Sequence, residues 1–362
     1  MTQYRFTDIA ATLPSSVPFV GPETQERQLG RRFDARLGAN ESTFGPSPKA
    51  IAAMVQTAAD IWQYADPENH DLRHALAAHH DVNAANVVVG EGIDGLLGYL
   101  VRLFVGAGDA VVTSLGAYPT FNYHVNGYGG TLHSVPYRDD YEDIDALWAK
   151  AEAVGAKLIY LANPDNPMGS HHSAATIENA ISRLPKGVLL VLDEAYADTC
   201  ADLPSIAIDT PNVIRMRTFS KAYGMAGARV GYALGPVDLI NAFHKVRNHF
   251  GMNRAAQAGA LAALQDQPYL HKTLEQIAAS KARIAEISEA WGWRALSSAT
   301  NFVAVDCGRD GAYAKRMLEA LIQEGVFVRM PFAAPQNRCI RISCGTDAQM
   351  DLLEAALQRI KK

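Results

Sequence analysis

Lys221 stands in the stretch TFSKAYGMAGARVGY (residues 218–232), with Thr218 and Ser220 just before it and Arg229 eight positions beyond. An ammonium among Ser, Ala, Tyr, Gly and Met serves no charged surface. It reads instead as an amine kept for chemistry, such as attack on a carbonyl. Asp193 ends the apolar run VLLVLD (188–193), where a carboxylate is costly to bury unless it meets a cation. Thr218, Ser220 and Arg229 supply hydroxyls and a guanidinium suited to a phosphate. Singly, each residue has an ordinary explanation: a solvated lysine, a loop-capping aspartate, a surface arginine. Together they form a specific arrangement.

A second feature is GEGIDG (90–95), which follows the run VVV and leads into the helical pattern LLGYLVRLF. It fits G-x-G-x-x-G, the fingerprint of a dinucleotide site. That reading needs an acidic residue at the end of the next strand, yet Asp109 begins DAVVTS and the strand ends in Thr-Ser-Leu-Gly. The glycines could also serve only a tight turn. A third reading gives the backbone N–H groups of Gly92, Ile93 and Asp94, at a helix start, to a single phosphate. An amine, a buried carboxylate and a phosphate cradle are the three demands of pyridoxal 5'-phosphate. Its aldehyde needs a lysine, its ring nitrogen a carboxylate and its phosphate many donors.

These residues sit at the ends of short β-branched runs: NVVVG (86–90), DAVVTS (109–114), KLIYLA (157–162), VLLVLD (188–193) and NVIRMR (212–217). Helix-like apolar spacing separates them, as in TIENAISRL. The fold class expected is α/β, with a three-layer αβα large domain around a mostly parallel sheet and a smaller α+β domain. The large domain is expected over 46–248. Residues 249–362 form the small one, opening on one long helical stretch, and 1–45 are an N-terminal arm that joins it. In such sheets ligands sit outside the carboxyl ends of the strands, where Asp193 and Thr218 fall.

The chain has 362 residues, enough for two domains sharing an interface, and a net charge of −5. That balance provides no basic field for a nucleic acid. No apolar run is long enough to span a bilayer and the start lacks the pattern of a signal peptide, so a cytoplasmic location is expected. Cys200, Cys307, Cys339 and Cys344 show no metal-ligand spacing, so no metal is expected.

The chain resembles fold-type I pyridoxal phosphate enzymes, the class I/II aminotransferases, and within them the histidinol-phosphate aminotransferase-like branch. The likeness runs nearly end to end through LGANESTFGPSP, YADPENHDLRHALA, GEGIDG, YPTFNY, NPDNPMG, DEAY, SKAYGMAGARVGY and RISCGT. It implies that Asn166 and Tyr196 hydrogen-bond the cofactor's phenolic oxygen and that Phe121 stacks on its ring. It also implies a homodimer, in which Tyr64 reaches the partner's phosphate site. Arg341 would bind the donor's carboxylate or its equivalent, Asn40 would lie in the segment closing over it, and Arg329 would contact a donor phosphate.

An amino donor and 2-oxoglutarate as acceptor follow from the same resemblance, with Lys221 moving the proton. Phe19 and Phe250 stand where tyrosines often occur in the branch, and a phenylalanine cannot donate to phosphate. They admit an aromatic or broad-range donor in place of histidinol phosphate. A related decarboxylase acting on an amino acid phosphate, and a non-catalytic protein on the same fold, are the other readings.

Overall fold

A computed structural model describes residues 4–15 and 20–360. Its strands are β1 (Ala35–Arg36), β2 (Val87–Gly90), β3 (Ala110–Ser114), β4 (Thr131–Val135), β5 (Leu158–Ala162), β6 (Leu189–Asp193), β7 (Val213–Thr218), β8 (Gly231–Leu234), β9 (Arg294–Ala295), β10 (Phe302–Asp306), β11 (Val326–Phe327) and β12 (Cys339–Ser343). Seven of them form one sheet in the order β2-β8-β7-β6-β5-β3-β4. All pairs are parallel except those of β8, which runs antiparallel to β2 and β7. The β5 and β6 strands are buried along their whole length, as expected of a sheet covered by helices on both faces. A mostly parallel α/β sheet is therefore what the chain builds.

Register brings the chemistry together. Gly90 faces Gly231, Gly231 faces Thr218, and Asp193 faces both Ala162 and Met216. The β3 strand pairs with β4 through Ser114, and β5 pairs with β6 through Ala162, but β3 and β5 pair only at Val111–Leu158 and Val112–Ile159. Their carboxyl ends part.

The second unit contains the antiparallel sheet β12-β10-β9 and the parallel pair β1-β11, so residues from the chain's start complete it. Its core joins Leu37 to Ile284, Val305, Leu321, Ile340 and Leu353. The structure moves the expected boundary at 249. The helix Arg254–Gln265 packs on Pro48–Gln56 and His70–His79, and Ala256, Ala260 and Ala263 share a core with Ala50, Leu72 and Leu76. Small residues on that face allow the close approach. Helix Gln267–Ala290 then crosses between the units, with Leu270 in the first core and Ile277, Ile284 and Ile287 in the second. The single long helix expected after 249 is thus two. They part at Asp266 (φ −101°, ψ 58°), whose carboxylate accepts from Ser47 Oγ at 2.5 Å and Lys49 Nζ at 3.0 Å, and Pro268 opens the second.

A Cβ at Gly231 would lie 2.6 Å from the backbone of Gly92 and Ile93. The Gly231→Ala variant should therefore push the start of helix Gly92–Phe104 off the strand and cost about 1–3 kcal/mol of stability. Urea denaturation of the apoprotein checks this, and an unchanged midpoint would show that the contact is not tight.

Candidate active site

Two adjoining cavities open at the carboxyl ends of the large sheet. One, of about 240 Å³, is bounded by Asp193, Tyr196, Thr218, Ser220 and Arg229; the other, of about 560 Å³, by Asn40, Arg329 and Arg341. Lys221, Asn166, Tyr118 and Asp94 border both.

In the smaller cavity Asp193 is 5 % exposed and accepts from Tyr160 Oη at 2.6 Å and from Ala195 N–H at 2.9 Å. Neither donor carries a charge, so burial pushes the carboxyl above its usual range, with Lys221 acting the other way. The Lys221 ammonium is brought down to about 8, first by burial and then by Arg341 and Arg229. Its Nζ donates to Asn40 O at 3.3 Å and lies 5.4 Å from the centre of the Tyr196 ring. Tyr196 Oη accepts from Asn40 Nδ2 at 2.8 Å, and burial raises its hydroxyl. Asn40 itself sits at φ 55°.

At the other end of this cavity Thr218 Oγ1 and Ser220 Oγ are 2.9 Å apart, and Arg229 Nη1 reaches Ser220 Oγ at 3.3 Å. Arg229 forms no ion pair among the described residues. Gly92 has φ +75°, and a Cβ there would overlap the Arg229 guanidinium, so only glycine lets the arginine lie against the helix start. Amides, two hydroxyls and a guanidinium thus converge on one spot, as a phosphate dianion requires. A buried carboxylate without a cationic hydrogen-bond partner stands at the opposite end. These features fit pyridoxal phosphate.

In the larger cavity Arg341 Nη1 donates to Asn166 Oδ1 at 2.5 Å and Nη2 to Gly38 O at 3.3 Å, while its buried Nε has no partner. Burial brings Arg341 down to about 10. Arg329 lies beside it through backbone bonds between the two residues, and its Nη2 donates to Val20 O at 2.8 Å.

The structure corrects one expected role. Phe121 is fully buried and stacks on Tyr160, with ring centroids 4.6 Å apart and planes at 19°. It is not placed to stack on a ligand, because from the first turn of helix Pro119–Gly127 its ring is turned into the core and borders neither cavity. The aromatic that borders both cavities is Tyr118, which precedes that helix. Phe121 instead braces Tyr160, which holds Asp193. Tyr64 and Phe250 do not reach this chain's cavities. They are 78 % and 55 % exposed and pack on each other, with centroids 4.6 Å apart. Phe19 lies outside the described residues. The sequence reading missed Tyr118 and Tyr160, although a tyrosine in the apolar run KLIYLA signals a buried hydroxyl in need of a partner.

Residues 35–360 match the family model for aminotransferase class I and II. The chain is 36 % identical to a histidinol-phosphate aminotransferase of Anaeromyxobacter, with 97 % of each chain covered, and 32 % identical to one of Moorella thermoacetica, covering 95 % of this chain and 90 % of that one. A crystal structure of histidinol-phosphate aminotransferase from Sinorhizobium meliloti in complex with pyridoxal-5'-phosphate superposes with a TM-score of 0.96 at 56 % identity, covering 98 % and 97 % of the two chains. The chain belongs to the class I and II aminotransferases. It is a pyridoxal phosphate-dependent transaminase, working between an amino donor and a 2-oxo acid.

Two predictions follow from the geometry. In the apoprotein, labelling of Lys221 by an amine-reactive reagent needs the neutral amine, so its rate should climb with pH and level off just above pH 8. Peptide mass analysis measures it, and a plateau only above pH 10 would contradict the burial argument. Tyr118→Ala should weaken cofactor binding at little cost to folding. Phe121→Ala should instead cost about 3–5 kcal/mol of stability as a cavity in the core. Visible absorbance titrations and denaturation curves, run on both variants, separate the two roles.

Proposed function

We propose that the protein transfers the amino group of histidinol phosphate to 2-oxoglutarate in histidine biosynthesis. The observation that carries this reading is the pairing of Arg329 with Arg341 in a cavity that also contains Lys221. Two guanidiniums side by side suit a phosphate-bearing donor, whose dianion offers an oxygen to each. The names of the similar proteins support the same donor.

When bound, pyridoxal phosphate supplies a carbonyl that accepts the amino group and a ring that takes up electron density. Thr218, Ser220, Arg229 and the amides of Gly92, Ile93 and Asp94 would hold its phosphate. Asp193, fixed by Tyr160 and Ala195, would pair with the ring nitrogen and keep it protonated. Asn166 and Tyr196 would bond the phenolic oxygen, and Tyr118 would cover the ring. Lys221, its charge weakened by burial and two arginines, would take a proton from the donor's α-carbon and give it back two atoms away, across the nitrogen. Asn40, joined to both Lys221 and Tyr196, closes the cavity from the N-terminal segment.

The proposal includes a homodimer in which exposed Tyr64 and Phe250 serve the partner's cavity. This bears on the second reading, an aromatic donor, since Phe250 would act there and not in its own chain. It also includes a cytoplasmic location, on the four free buried cysteines, which suit a reducing compartment.

Titrating the yellow holoenzyme with donors in the absence of any oxo acid tests the donor. The visible band should fade at low histidinol phosphate and respond weakly to histidine and phenylalanine; fading with phenylalanine at similar concentrations would overturn the reading in favour of an aromatic donor. Arg329→Ala should raise the KM for histidinol phosphate by roughly 10- to 100-fold, the worth of a charge-assisted hydrogen bond, and change that for histidine far less.

A further inference from the structure

Where β3 and β5 part, the side chain of Glu142 fills the gap. Its Oε2 lies 2.5 Å from Ser114 Oγ, the last residue of β3, and its Oε1 accepts from the N–H of Ala162, the last residue of β5, at 2.8 Å. Glu142 is 1 % exposed and borders neither cavity. The ladder between the strands ends at Val112 and Ile159, so the carboxyl replaces the missing cross-strand hydrogen bonds. Four residues after Ser114 comes Tyr118, and four after Ala162 comes Asn166, and both of these border both cavities.

We propose that Glu142 is a positioning residue which, by bridging the parted ends of β3 and β5, sets the spacing between Tyr118 and Asn166 and so the width of the cofactor slot. This rests on the reading that the slot takes pyridoxal phosphate. Among the described residues no basic side chain hydrogen-bonds the Glu142 carboxyl, and burial, with Asp165 beside it, pushes that carboxyl well above the usual carboxylate range. The Ser114 hydroxyl donates to that carboxyl and can turn to accept instead. A glutamine would accept from Ala162 N–H through Oε1 and donate to Ser114 Oγ through Nε2.

The test compares Glu142→Ala, Glu142→Gln and Ser114→Ala with the wild type. The dissociation constant of pyridoxal phosphate and the position of its visible band are read at a temperature far below each apoprotein's melting point. Glu142→Ala should weaken binding about tenfold, the scale of one lost buried hydrogen bond, and shift the band. Glu142→Gln should restore both, and Ser114→Ala, which cuts one leg of the bridge, should fall between. A lowered melting temperature with wild-type affinity and band would make Glu142 a scaffold residue and overturn the proposal, as would a glutamine variant as weak as alanine. If Glu142→Ala does not fold, wild-type affinity in Ser114→Ala overturns it alone. A wild type that takes up no pyridoxal phosphate would be a failure of the underlying reading instead.

Discussion

The rest of the site depends on one costly burial, that of the Asp193 carboxylate at the end of β6. Two neutral donors, Tyr160 and Ala195, meet its oxygens, and no cation hydrogen-bonds it. Such a group is tolerated in a folded core only where a positively charged partner arrives or a proton is taken up. The surroundings are arranged for the first case. Phe121 fixes the Tyr160 ring, and Tyr160 fixes the carboxylate, so the place a cationic partner must take is set by the core behind it.

From that point the sheet's register sets the distance to the anion cradle. The facing residues Gly90, Gly231 and Thr218 lie in adjacent strands; Gly231 has no side chain to hold the helix start off β8, and Gly90 leaves room for Leu96. The amides of residues 92–94 thereby come close to Thr218, Ser220 and Arg229. Lys221 is held between these two ends by the turn that follows β7. Burial near two guanidiniums lowers its proton affinity, which readies a lysine for amine chemistry near neutral pH.

The second unit closes the donor side through a few polar links. Arg341 reaches Asn166, and Asn40 reaches Tyr196 while its carbonyl accepts from Lys221. Asn301 Nδ2 and Ser343 Oγ tie Asn40 to the small sheet, at 3.1 Å and 3.0 Å. The donor cavity is therefore built jointly by the two units, so their relative placement decides how the arginines meet Lys221.

The sequence by itself determined the α/β class and the main sheet strands, and it singled out Lys221, Asp193, Thr218, Ser220 and Arg229, which the fold gathers at one cavity. Their legibility has a physical basis: an ionisable residue at the end of an apolar run has no cheap structural excuse, and glycine loops before helices announce an anion site. Tertiary structure decided the rest. Only packing shows that Tyr118 and not Phe121 faces the cavity, because Phe121 is taken into the core against Tyr160 while Tyr118, just before the helix, is left at the cavity wall. Only the contacts of Ala256, Ala260 and Ala263 place helix Arg254–Gln265 with the large unit, since a small-residue face fits either core. Glu142 was silent in the sequence for the same reason. Its neighbours in the chain, Tyr141 and Asp143, resemble those of any loop glutamate, and the parting of β3 from β5 that it bridges exists only in three dimensions.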